Sequence, residues 1–143
     1  GSSIFHEHND NRIHVEGTVL RKNKIDLHNF FETIGGSLTK NQLKIPTNQN
    51  PITINSPGLC NSEQAELQVF LYKVTNPSNN KKSGFTYKQE KLQDPENYIL
   101  SPYQNIPPGD CIIIEFAPEK ENSDKICESY KVAIQKGDLT EAW

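Results

Sequence analysis

Apolar residues change their spacing several times along the chain, and each spacing predicts a different element. In "IFHEHNDNRIHVEG" (4–17), Ile13 and Val15 alternate with Arg12, His14 and Glu16, the period of a strand with one polar face. We expect one strand over Ile4–His8 and a second over Arg12–Leu20. Asn9-Asp10-Asn11 would form the turn, because Asn and Asp tolerate left-handed backbone angles. "KIDLHNFFETIGG" then switches to helical spacing. Leu27, Phe30, Phe31 and Ile34 fall at i, i+3, i+4 and i+7, with Asp26 as N-cap and Gly35-Gly36 as stop.

Further along, Leu38, Leu43 and Ile45 are candidates to dock on the core, and "PITIN" reads as a short edge strand. "ELQVFLYKV" (66–74) is rich in aromatic and β-branched residues and reads as a long strand. A polar loop, "TNPSNNKKSG", follows it. Tyr98-Ile99-Leu100 reads as another short strand and "IPPGD" as a turn. "CIIIEF" is almost continuously apolar, which predicts a central strand covered on both faces. The charged tail from Ala117 carries "DKICESYKVAI", expected to pack back on the domain.

The order of hairpin, helix and meander predicts an α+β domain of the β-grasp (ubiquitin-like) class, with one amphipathic helix on one face. In that class the last strand inserts beside the first. A different small α+β topology or a β-sandwich is the competing architecture. By length the chain is one domain. We divide it into a remnant at 1–3, a β-grasp-like domain at 4–117 and a C-terminal extension at 118–143.

Composition narrows the function classes. The 143 residues are polar, with mean hydropathy -0.71, a hydrophobic fraction of 34% and net charge -3. No basic stripe runs along the chain, which argues against nucleic acid as a partner. No stretch approaches the ~20 apolar residues of a membrane span. Gly1-Ser2-Ser3 and the absence of Met suggest an excised soluble portion, so that any signal peptide or membrane anchor would lie upstream. The three cysteines, Cys60, Cys111 and Cys127, form no CxxC pair. One disulfide plus one buried thiol suits an exported protein, and three buried thiols would suit a cytosolic one. In a β-grasp arrangement, Cys60 would lie near the segment carrying Cys127. We therefore expect a Cys60–Cys127 disulfide, with Cys111–Cys127 and no disulfide as the alternatives.

The candidate chemistry sits in the first hairpin. With a three-residue turn, His6 faces His14 and His8 faces Arg12, so the histidines and Glu16 share one face. Opposed residues have Cβ atoms ~4.5–5.5 Å apart, close enough for two imidazoles to hold one zinc or copper ion. The metal set would be His6, His8, His14 and Glu16, with Asp10 a possible addition. The alternative is a solvated polar face that meets a partner. The chain has no Walker loop, no HExxH, no dinucleotide fingerprint and no spaced Ser–His–Asp set, so an enzyme is not expected.

"HEHNDNRIHVEG", "LHNFFETIGG" and "YILSPYQNIPPGDCIIIEF" together resemble a little-characterised group of exported bacterial and archaeal proteins. That group has a His-x-His-Asp segment, an "IHVEG" strand, a "LGDFF" helix and a strand after a "GD" turn. The resemblance spans roughly residues 4–117. This chain departs from it at His28 and Asn29 in the helix and at Asn9 between His8 and Asp10. The polar sheet, the long loops and the missing catalytic constellation lead us to expect a binding module with a protein partner at the cell surface. The resemblance implies a membrane-tethered extracytoplasmic domain. It carries no established activity and no cofactor.

Overall fold

The computed structural model describes residues 5–8, 12–15, 26–33, 35–45, 52–60, 63–78, 84–100 and 109–142, with 5–8 and 12–15 described by their backbone pairing. The chain is α+β and mostly sheet. In chain order the elements are β1 (Phe5–His8), β2 (Arg12–Val15), α1 (Leu27–Thr33), β3 (Ser37–Leu38), β4 (Gln42–Ile45), β5 (Ile52–Asn55), β6 (Gly58–Cys60) and β7 (Glu63–Val74). There follow β8 (Phe85–Lys91), a single 3-10 turn at Pro95–Asn97, β9 (Cys111–Ala117), α2 (Glu128–Gln135) and β10 (Leu139–Glu141).

The main sheet runs β1-β2-β9-β7-β8-β10, with β6 added to β7. Its centre is the continuously apolar β9, paired antiparallel to β2 on one side and β7 on the other. Both faces of β9 are covered, and alternation assigns the cover. Val69, Leu71, Ile112 and Ile114 pack with Leu27 and Phe31 of α1, with Leu38, Leu43 and Ile45 of the β3-β4-β5 sheet, and with Leu100. Phe70, Tyr72, Val74 and Ile113 pack on the other face with Tyr130, Ala133 and Leu139 from the C-terminal segment. The 2-residue period of "LQVFLY" thus feeds two cores at once.

The helix forms where its spacing predicts. The Asn29 amide donates to Asp26 Oδ1 at 2.7 Å, and the Phe31 carbonyl accepts from Gly36 at 2.9 Å. Gly35 has φ 88, a left-handed conformation that ends helices and favours glycine.

Three expectations change. The β-grasp order puts the first strand beside the last, but here the second strand, β2, is the neighbour of β9. The registers set Ile13 opposite Ile114 and Val15 opposite Ile112. Tyr98-Ile99-Leu100 forms only an isolated bridge, Ile99 with Asp26, in which the Leu27 amide at the helix start donates to the Tyr98 carbonyl. The disulfide joins Cys111 to Cys127, not Cys60 to Cys127. Cys60 pairs in register with Glu63 at one end of β7, whereas Cys111 pairs with Tyr72 near the other. The chain after β9 does not stay at the Cys60 end. It returns along the sheet and brings Cys127 back to the start of β9.

Candidate functional site

Polar anchors trace that return path. Gln68, buried in β7, accepts from the Lys120 amide with Oε1 at 2.9 Å and donates from Nε2 to the Ala117 carbonyl at 3.0 Å. Glu115 is fully buried in β9. Its carboxylate accepts from Ser123 Oγ at 3.0 Å and lies 2.9 Å from Lys120 Nζ. Gln89 of β8 accepts from the Ser123 amide at 2.6 Å and donates to the Tyr72 hydroxyl at 2.8 Å. Tyr72 in turn donates to the Lys125 carbonyl at 2.5 Å. Burial, reinforced by Tyr87 and Glu115, pushes the Tyr72 hydroxyl above its ordinary range, so it stays a neutral donor. Tyr130 Oη lies 2.5 Å from the Gly109 carbonyl and 3.2 Å from the Tyr72 carbonyl. A buried charge in a strand needs partners. Here Ser123 and Lys120 supply them and in doing so fix the strap over the sheet.

The first hairpin has the register that an odd-length turn predicts. His6 stands opposite His14, His8 opposite Arg12 and Phe5 opposite Val15. Glu16 and Asp10 lie outside the described residues. Across the next pairing, His14 is in register with Ile113 and Arg12 with Glu115. Those two β9 residues are fully buried, so the sheet face expected to be open and wet is covered at β9. Among the described residues no group of three His, Cys, Asp or Glu is placed to hold a metal. Likewise, no helix there is long and apolar enough to cross a membrane.

His28 ties α1 to β3. Nδ1 lies 2.8 Å from the Leu38 carbonyl and Nε2 3.0 Å from Glu32 Oε1. The Leu38 carbonyl, with smaller contributions from Glu32 and Asp26, holds the imidazole above its ordinary range.

A cleft of about 300 Å³ opens where β7 passes from β8 to β6. Lys40, Ser56, Glu66, Gln68, Lys91 and Glu119 contribute to its walls. Lys91 Nζ is held 3.2 Å from Glu119 Oε1 and 2.8 Å from the Lys120 carbonyl. Sequence reasoning missed this cleft because it missed β8. The signal was present in "FTYKQEK", where Phe85, Tyr87 and Gln89 alternate with Thr86, Lys88 and Glu90. Comparison with family models, curated proteins and solved structures finds no match to the chain.

Proposed function

We propose that this chain is an extracytoplasmic, non-enzymatic binding or assembly module, tethered at the cell surface through a segment outside this sequence. One observation carries the binding role. The cleft beside β7 combines an immobilised lysine, charged side chains of both signs and a stretch of strand edge, groups that can pair with a polar partner. The Cys111–Cys127 disulfide supports an oxidising compartment.

A second reading, capture of zinc or copper by His6, His8 and His14, is favoured by the His6↔His14 register. Metal analysis of protein purified without a histidine tag separates the two. The binding-module reading expects no stoichiometric transition metal. Stoichiometric zinc or copper, lost in His6→Ala and His14→Ala, would replace it with the metal reading.

A further inference from the structure

On the side of β7 away from β9, the ladder is interrupted. β6 pairs with Glu63, Gln64 and Ala65, and β8 begins opposite Phe70. Among the described residues, no strand lies opposite Glu66–Val69 on that side. Two bonds reach into the interval. The Leu67 amide donates to Ser56 Oγ at 2.9 Å, and the Leu92 amide donates to the Val69 carbonyl at 2.9 Å. These bonds show which backbone groups face the gap, since N–H and C=O of one residue point to the same side of an extended strand. The Leu67 carbonyl and the Val69 amide therefore face it too. That is the spacing of successive groups in a parallel ladder, where one partner residue donates to the first and accepts from the second.

A residue clamped in this way would run parallel to β7, with its carboxyl end toward Val69 and thus toward Lys91, which pairs with Phe70. Lys91 suits an anion there. Its ammonium has three donors, and the Glu119 carboxylate and Lys120 carbonyl take two. Lys40 adds a second, exposed cation to the wall. The volume is at the small end of ligand pockets, roughly 300–1,000 Å³, so the occupant is a chain end and not a long segment. We propose that this cleft captures the C-terminal residue of an extended peptide, pairing its backbone with Leu67 and Val69 and its carboxylate with Lys91. This rests on the reading of the chain as a binding module and names what it binds.

The test is a titration of the full ¹⁵N-labelled chain with alanyl-alanine, its C-terminal amide and free alanine, followed by amide shifts. The expected result is saturable shifts at Leu67, Val69 and Leu92, with the amide bound at least about tenfold more weakly because a charge-assisted bond is lost. Lys91→Gln should weaken the free acid similarly. Lys40→Gln, at an exposed position that leaves the strap intact, should weaken it by about threefold or more. Equal binding of acid and amide overturns the proposal, as does the absence of shifts at these residues up to about 10 mM. Free alanine binding as tightly as the dipeptide overturns the peptide and assigns a free amino acid. A metal-free protein that ignores the dipeptide loses this ligand only, whereas stoichiometric metal removes the binding-module reading itself.

Discussion

Replacing both Cys111 and Cys127 with alanine should destabilise the domain by about 3 kcal/mol. The two residues are separated by 16 positions, and closing a loop of about that size removes this much chain entropy from the unfolded state. Both cysteines are buried, and the Cys127 amide also donates to Cys111 Sγ at 3.2 Å, so the double variant loses packing at the same point. Against a typical total of about 5–15 kcal/mol, this is a large share. For a chain of this size it corresponds to a fall in Tm of roughly 10 °C. The assay is urea denaturation of both proteins without reductant, with unfolding followed by two probes. The midpoint should fall with the slope unchanged. A difference below about 1 kcal/mol would refute the view that this bridge closes the second face of the sheet. Cys60→Ala, outside the bridge, serves as the control and should cost clearly less than the double substitution.

Three further outcomes follow from the same geometry. Because the folded state raises the His28 pKa, its contribution is fully present below the ordinary histidine range and is lost as pH rises through the folded pKa. His28→Gln should therefore cost more stability at about pH 5.5 than at about pH 8.5, read from denaturation midpoints at each pH. Tyr130→Phe keeps the ring contacts with Tyr72 and Tyr87 but leaves the buried Gly109 carbonyl without its hydroxyl donor, costing about 1–3 kcal/mol by the same assay. Glu115→Gln removes the charge facing Lys120 and should cost roughly 3 kcal/mol. Hydrogen exchange should rise first over residues 118–127, since Ser123 and Lys120 are the anchors released.

Much of the fold is legible where one residue pattern has a single solution. Leu27, Phe30 and Phe31 can share a face only as a helix, and an Ile run with no polar side belongs at a sheet centre. Pairing order is less legible, because it depends on which hairpin strand matches β9 across the sheet. The disulfide partner was hidden for a related reason: the direction of the chain after Ala117 is set by tertiary anchors. The one sequence hint was Glu115, a carboxylate in an apolar strand that needs partners from elsewhere. β8 shows its alternation only as a half-solvated strand, and β10, three residues long, carries little hydrophobic signal. The cleft exists because β8 stops opposite Phe70 while β7 continues to Glu63, a mismatch of strand lengths that no local pattern encodes.

Thiol mapping of the full-length protein taken from its native cells, alkylated before any reduction, tests the account most directly. An extracytoplasmic module closed by its C-terminal strap should yield a peptide linking Cys111 to Cys127, with Cys60 as the thiol that alkylates after unfolding without reductant. Three alkylated cysteines, or a link from Cys60 to Cys127, would contradict it.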